Sequence, residues 1–184
     1  MERTNGEEIL VYATLGPEGS NHDYVLRNRL RDTGGGARIL YEPSAEKMLD
    51  RCVNGEATHL MICAAHPRAA DVVAIAQYTH GILLTETFIA ASEPLAILCR
   101  RGIERPRTIA LHPATRRYTS LDGFDEIIDA TSTVAAFDGV VQGLWDCALT
   151  QRRFAENSRV WMSRSVEAAR DAWLVLSHGK MQLS

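Results

Sequence analysis

Apolar and polar positions divide the first third of the chain into short strands that alternate with amphipathic helices. Residues 9–15 form a run rich in apolar and β-branched side chains, and residues 20–33 carry an apolar stripe with helical spacing. The alternation continues with strands predicted at 38–41 and 59–64 and a helix at 45–53. Strands separated by helices need crossover connections, so the pattern predicts a parallel sheet in an α/β protein.

The second half of the chain repeats this alternation. Residues 66–81 do not decide between helix and strand, and Ser92-Glu93-Pro94 interrupts an extended stretch at 82–99. Further strands are predicted at 107–111, 126–130, 146–149, 160–163 and 173–176, and short helices at 114–121, 134–144 and 150–156. The pattern therefore predicts two βαβ units that join near residue 93.

Composition and charge exclude several classes of partner. The 184 residues are 46% hydrophobic and 23% charged, as in an ordinary globular protein. The net charge is −3 and the arginines are scattered, which leaves no basic tract for nucleic acid. No apolar run reaches the length of a membrane span. The expected partner is therefore a small molecule, with neither nucleic acid nor membrane involved.

Two features predict a cytoplasmic location. Residues 1–8 are polar and acidic and lack the apolar core of a signal peptide. The four cysteines are far apart and form no C-x-x-C pair, so they are expected to be reduced, buried thiols.

The turn G-P-E-G at residues 16–19 joins the first strand to the first helix. Glycine at position 19 can take a positive φ, and Ser20 or Asn21 can cap the helix. The first N–H groups of a helix have no acceptor inside it and carry partial positive charge. The backbone at Gly19, Ser20 and Asn21 is therefore a candidate carboxylate or phosphate site, although the same residues also suit a purely structural turn.

Polar residues also follow the other predicted strands, at 65–68, 112–115 and 131–133 and at Thr150. The carboxyl ends of parallel strands face one crevice, so these points are expected to converge with the first turn on a single site.

The motifs at these points resemble those of one enzyme family. Residues 14–20, T-L-G-P-E-G-S, resemble the opening signature of prephenate dehydratases, and more closely that of the prephenate decarboxylases of bacilysin-type antibiotic pathways. The segments L-H-P at 111–113, S-T-V-A-A at 132–136 and A-L-T at 148–150 are similar to later motifs of the family, in the same order. The resemblance covers most of residues 9–176.

Departures from the family pattern favour the decarboxylase branch. Dehydratases have Thr-Arg-Phe at the last motif, whereas here Gln151 follows Thr150 and R-R-F stands at 152–154. The E-N-S segment after the third strand is replaced by A-A-H-P at 64–67, and a regulatory ACT domain is not expected in a chain of this length.

The resemblance implies a fold and a reaction. The fold is the periplasmic-binding-protein-like (type II) domain, with lobe one at about 8–92 plus 165–184, lobe two at about 93–164, and a ligand cleft between them. The reaction is loss of CO₂ from prephenate, a dianion, without aromatisation of its ring, giving a dihydro-4-hydroxyphenylpyruvate for a specialised metabolite. It needs no metal or organic cofactor, and the histidines lack the spacing of a zinc site. A homodimer is implied by the resemblance alone.

Helix starts are the predicted carboxylate sites. The backbone at Gly19, Ser20 and Asn21 is predicted to hold one carboxylate, and Ser132 and Thr133 at the second helix start are predicted to hold another. Serine and threonine at helix starts are also common as simple caps.

Five side chains complete the predicted site. Thr150 is predicted to hydrogen-bond the ring hydroxyl or a carboxylate, and His66 or His112 to supply the proton, because imidazole titrates near neutral pH. Arg68 or Arg152 is predicted to add a charge-assisted contact to a carboxylate. The corresponding structural roles are turn residues for the histidines and solvated surface for the arginines.

Two other functions stay open at this point. A stand-alone dehydratase would make phenylpyruvate from the same substrate. A non-catalytic sensor of a small carboxylate would use the same cleft, because a fold does not fix the chemistry.

Overall fold

The computed structural model describes residues 10–178 of the chain, which contain ten strands and four α-helices. The strands are β1 (Leu10–Leu15), β2 (Ala37–Glu42), β3 (His59–Cys63), β4 (Ile82–Ala91), β5 (Leu95–Arg100), β6 (Thr108–Leu111), β7 (Glu126–Asp129), β8 (Cys147–Gln151), β9 (Val160–Val166) and β10 (Arg170–His178). The helices are α1 (Asn21–Asp32), α2 (Ala45–Val53), α3 (Ala69–His80) and α4 (Thr133–Gln142), and 3₁₀ turns cover Pro113–Thr115 and Arg152–Glu156.

The strands form two five-stranded sheets, in the orders β2-β1-β3-β10-β4 and β7-β6-β8-β5-β9. Within the first sheet β1 is parallel to β2 and β3, whereas β10 is antiparallel to β3 and β4. Within the second sheet β6 is parallel to β7 and β8, and β5 is antiparallel to β8 and β9. Both sheets are therefore mixed, because the chain crosses between them after β4 and returns after β9.

Each sheet is covered on both faces, which explains the uninterrupted apolar runs of its central strands. In β3, Leu60 and Ile62 pack with side chains of α2 and α3, while Met61 and Cys63 pack with α1 and with Trp173 of β10. In the second sheet the same division places α4 on one face and the segment after the first 3₁₀ turn on the other.

Local sequence signals account for the helix boundaries. The Oγ atoms of Ser20, Ser44 and Ser132 each accept a hydrogen bond from a backbone N–H in the first turn of α1, α2 and α4. The undecided stretch at 66–81 contains α3, which ends at Gly81 in a left-handed conformation with φ of +65°.

Several predicted elements differ in type or extent, among them the helix predicted at 150–156, which is a 3₁₀ turn over Arg152–Glu156. The helix predicted at 114–121 is a single 3₁₀ turn, because Tyr118, Leu121 and Phe124 fold back onto the apolar cluster beneath β6. The strand predicted to end at 149 continues to Gln151, because Thr150 and Gln151 pair with Ala96 and Leu95 of β5.

The cysteines also differ from expectation. Cys99 and Cys147 lie directly opposite each other on the antiparallel strands β5 and β8, with Cα atoms 4.0 Å apart, and are joined by a disulfide. Cys52 and Cys63 are free and buried. The expectation of four reduced thiols is wrong for this pair, which removes one of the two arguments for a cytoplasmic location. No helix within residues 10–178 is long and apolar enough to cross a membrane.

Candidate functional site

A cavity of about 280 Å³ lies between the two sheets. It is bordered by the first turns of α1, α2 and α4, by the loops after β3 and β6, and by the crossing segment between β4 and β5. Seven of the ten predicted site residues line it: Ser20, Asn21, His66, Arg68, His112, Ser132 and Thr133. The other three, Gly19, Thr150 and Arg152, are not among the residues that border it.

The first turn of α1 presents free N–H groups one residue later than the sequence predicts. The Gly19 N–H donates to Asp23 Oδ2 at 2.8 Å, and the Ser20 N–H donates to the Pro17 carbonyl at 3.0 Å. Within residues 10–178, the N–H groups of Asn21 and His22 have no acceptor. The predictions of Gly19 and Ser20 as anion-binding backbone groups are therefore corrected, since both donors are already used, whereas that of Asn21 stays a prediction.

The first turn of α4 has the same arrangement. Ser132 Oγ accepts a hydrogen bond from the Ala135 N–H at 2.9 Å, and in the described chain the N–H groups of Thr133 and Val134 have no acceptor. Ser132 and Thr133 line the cavity. Three helix N-termini therefore border one cavity: α1 and α2 from the first sheet and α4 from the second. The first turn of α2 already carries the acidic Glu46, whereas the free N–H groups of α1 and α4 favour a negatively charged ligand.

Three histidines meet at the cavity. The ring centroids of His22 and His66 are 6.3 Å apart, and those of His66 and His112 are 5.9 Å apart with planes at 27°. Nδ1 of His66 accepts from the Arg68 N–H at 3.2 Å, and Nδ1 of His112 accepts from the Ala114 N–H at 3.3 Å. These bonds assign the proton to Nε2 in both rings, which makes each ring a neutral donor.

Burial keeps these imidazoles neutral. It lowers the pKa of His22 from 6.5 to about 3, with smaller contributions from the neighbouring His66 and His112. Burial likewise lowers the pKa of His66 and of His112. Near pH 7 the histidines can therefore donate hydrogen bonds, but they rarely carry a second ring proton. This argues against the prediction that His66 or His112 supplies the proton.

Arg153 of the second sheet contacts Glu93 at the cavity wall and the turn before α1, although it is not itself among the residues that border the cavity. Its Nη2 donates to the Gly19 carbonyl at 2.6 Å, and its Nη1 pairs with Glu93 Oε1. The predicted candidate Arg152 instead extends towards Ser165 Oγ at 3.4 Å. Arg68 does line the cavity, where it pairs with Glu46 at 2.9 Å. The prediction that Arg152 contacts the ligand is corrected, because Arg152 extends away from the cavity and does not border it.

Glu93 is a site residue that was not predicted from the sequence. Glu93 lies between β4 and β5, is 6% exposed and lines the cavity. Its N–H donates to Asn21 Oδ1 at 2.9 Å, and Asn21 Nδ2 donates to Ser92 Oγ at 3.0 Å. A charged residue between Ser92 and Pro94, in a segment that links two strands, was the only signal available in the sequence.

Thr150 lies behind the cavity wall. It is completely buried in β8, and its Oγ1 lies 2.7 Å from the Thr133 carbonyl and 2.9 Å from Gln151 Oε1. Gln151 Nε2 in turn donates to Thr133 Oγ1 at 2.7 Å. The predicted contact between Thr150 and substrate is thus replaced by support of the first residue of α4.

Replacing Thr150 with alanine is expected to reduce stability more than chemistry. The change leaves the buried Gln151 without a partner at Oε1, which costs about 1–3 kcal/mol in the free energy of unfolding. Urea unfolding measures this, with Thr150→Ser as the control that keeps the hydroxyl. Normal stability combined with lost turnover in Thr150→Ala would instead place the hydroxyl on the substrate.

The chemistry of the lining limits what the cavity can do. Cys63 borders it, but burial raises the pKa of that thiol to about 11, so it is not a thiolate nucleophile at neutral pH. Within the described residues no group of three or more histidine, cysteine or acidic side chains could hold a metal ion. The arrangement fits binding and proton transfer to a small anion.

The fold and the site define a two-lobed α/β domain of the type II periplasmic-binding-protein class, with a small-molecule cavity between the lobes. No family model matches the chain, and no curated protein matches its sequence. The fold is that of prephenate dehydratase catalytic domains. The Arthrobacter aurescens prephenate dehydratase in complex with L-Phe has a TM-score of 0.68 and 17% identity, over 92% of this chain and 60% of that chain.

Two further solved structures share the fold. GqqA, described as a novel type of quorum quenching acylase, has a TM-score of 0.65 and 19% identity, over 95% of this chain and 66% of that chain. An arginine-bound ArgBP from T. maritima has a TM-score of 0.52 and 14% identity, over 94% and 89%. The chain spans about 60% of the length of the prephenate dehydratase. At these identities the comparisons establish the fold.

Proposed function

We propose that the protein is a carboxy-lyase that removes CO₂ from prephenate and leaves the ring non-aromatic. The observation that carries the proposal is the pair of helix N-termini that face one cavity from opposite sheets and carry no acidic residue on the cavity wall, α1 from the first sheet and α4 from the second. A dianion with carboxylates at two positions matches two such ends. The cavity of about 280 Å³ is at the small end of the range for small-molecule sites.

Decarboxylation also needs an apolar surface beside the departing carboxylate. Leu15, Leu95 and Ala65 supply apolar lining between the helix ends. A carboxylate held away from water loses CO₂ more readily, because its charge spreads into the ring as the bond breaks. The neutral Nε2–H groups of His66 and His112 are donors for the ring hydroxyl or the keto group and require no charge change during the reaction.

Decarboxylation that keeps the ring hydroxyl is preferred to decarboxylation with dehydration because of the threonine motif. Thr150 is fully buried and engaged with Thr133, and Gln151 follows it where the dehydratase motif has arginine. The proposal includes a cytoplasmic, homodimeric enzyme of specialised-metabolite (antibiotic) biosynthesis, and this part rests on the resemblance of the motifs alone.

The test is incubation of the purified protein with fresh prephenate near neutral pH, with the product identified by NMR. We expect a non-aromatic keto acid that has lost CO₂ and kept its hydroxyl, formed faster than in a sample without protein. Phenylpyruvate above the spontaneous rate would instead make the protein a dehydratase. Unchanged prephenate, with saturable binding of it, would make the protein a non-catalytic carboxylate sensor.

A further inference from the structure

One carboxylate oxygen of a glutamate that lines the cavity lacks the hydrogen-bond partner that a buried oxygen normally has. Glu93 is buried, and its Oε1 is held by Arg153. Its Oε2 is also buried, and no donor within residues 10–178 reaches it. An unpartnered buried carboxylate oxygen is costly, so such atoms usually carry a proton or meet a ligand.

The surroundings of Glu93 make it easier to protonate than an ordinary glutamate. Burial raises the pKa of Glu93, and the negative charge of Asp23 on α1 acts in the same direction, while Arg153 on the 3₁₀ turn opposes both. A protonated carboxyl group is a donor as well as an acceptor. The other acid on the cavity wall, Glu46, is more than half exposed and is paired with Arg68. Glu93 is thus the carboxyl group at the cavity that is best placed to hold a proton.

We propose that Glu93 is the general acid of the reaction and delivers the proton from Oε2 to the ring carbon. This inference rests on the proposed function. When the bond between the ring and CO₂ breaks, its electron pair spreads over the ring diene. The proton of Glu93 then adds to a terminal carbon of that delocalised anion, beside the carbon that carries the hydroxyl. CO₂ leaves, one C–H bond forms, and no oxidant or reductant is required.

Arg153 stabilises the carboxylate of Glu93 after the proton transfer, until Glu93 is protonated again. After proton transfer Glu93 is a carboxylate, and the guanidinium of Arg153 already touches its Oε1. The ion pair stabilises that carboxylate until water returns a proton. The backbone of Glu93 is fixed by Asn21 at 2.9 Å, so the acid is held against the helix end that binds the ligand.

The test compares Glu93→Gln with Glu42→Gln. Glu42 is a matched control, because each glutamate side chain is 8% exposed and each is paired with an arginine, while Glu42 does not border the cavity. We expect Glu93→Gln to lower kcat on prephenate by about 10²- to 10⁴-fold with KM changed less than about fivefold. Glu42→Gln should keep kcat within about twofold of wild type.

A second readout separates proton delivery from a structural role. In D₂O the wild-type product should carry deuterium on one face of the ring, whereas residual product from Glu93→Gln should carry it on both faces. Glu93→Asp, which keeps an acid, should regain at least about tenfold of the lost kcat. If Glu93→Gln melts like wild type and keeps full kcat or single-face labelling, the role of Glu93 is wrong and the proposed function stands. If the wild-type protein forms no decarboxylated product, the proposed function itself is wrong.

Discussion

Replacing Arg153 with methionine is expected to weaken prephenate binding by about 10- to 100-fold and to open the two lobes in solution. The guanidinium joins the 3₁₀ turn of the second lobe to the Gly19 carbonyl of the first and also pairs with Glu93. Hydrogen bonds to charged groups contribute about 1.5–3 kcal/mol each, and about 1.4 kcal/mol corresponds to a tenfold change in affinity. Methionine keeps the unbranched stem but makes neither contact.

The adjacent arginine is the control for Arg153. Arg152→Met removes the same charge from the same 3₁₀ turn, but it breaks only a 3.4 Å contact with Ser165. We expect KM and the radius of gyration, measured by small-angle X-ray scattering, to change in Arg153→Met and to stay near wild type in Arg152→Met. The reverse result would identify Arg152 as the arginine that acts on ligand binding. It would also show that the contact of Arg153 with Gly19 does not hold the two lobes together.

Local patterns predict most of the individual elements. Helix α2 was predicted at 45–53 with Ser44 as its cap, and it spans Ala45–Val53 with that cap. The serine caps can be predicted from local sequence because each one accepts a hydrogen bond from a backbone N–H in the first turn of its own helix. The apolar run at 59–64 identified a buried strand for a similar reason, since both faces of β3 are covered.

Features set by distant pairing were not predictable in the same way. The parallel sheets expected from strand and helix alternation are mixed, because β10 inserts antiparallel between β3 and β4 from the far end of the chain. Cys99 and Cys147 were assigned as thiols because their spacing of 48 residues says nothing about strand register. A single register between β5 and β8 places them opposite each other.

The candidate site shows the same contrast between features that local sequence predicts and features that depend on distant contacts. The turns that line the cavity were found from glycine, serine and histidine at strand ends, where the residue type carries the signal. Arg153 meets the Gly19 carbonyl across 134 positions, and nothing in its local sequence distinguishes it from Arg152. Thr150 was placed after a strand, but two more residues pair with β5, which turns its hydroxyl towards α4 and away from the ligand.

The largest pH effect on stability is expected from His22. Its pKa is lowered from 6.5 to about 3 in the folded protein, because the partly buried ring is withdrawn from water and lies beside His66 and His112. An unfolded chain therefore takes up a proton at this residue between about pH 6.5 and pH 3, and the folded protein does not. The contribution of His22 to the free energy of unfolding is present in full above about pH 6.5. It is lost as the pH falls below that value, at roughly 1.4 kcal/mol per pH unit.

His22→Gln isolates this contribution. The amide oxygen can still accept the hydrogen bond that His22 Nε2 takes from the Cys63 N–H at 3.3 Å, but glutamine does not titrate. At pH 7.5 we expect the variant to be about 1 kcal/mol less stable, since the packing of the ring on Trp173, 5.0 Å between centroids, is lost. At pH 4.5 it should equal or exceed wild type, because the wild-type protein has lost about 2–3 kcal/mol at His22.

Urea unfolding at half-unit steps from pH 4.5 to 7.5 measures the two slopes. His80→Gln is the matched control for the loss of one imidazole, because His80 is exposed at the end of α3 and does not border the cavity. A His22→Gln slope parallel to wild type would show that His22 takes up its proton in the folded protein over the same pH range as in the unfolded chain. A cationic imidazole at the start of α1 would then be available to the ligand, and His22 would compete with Glu93 as the source of the proton.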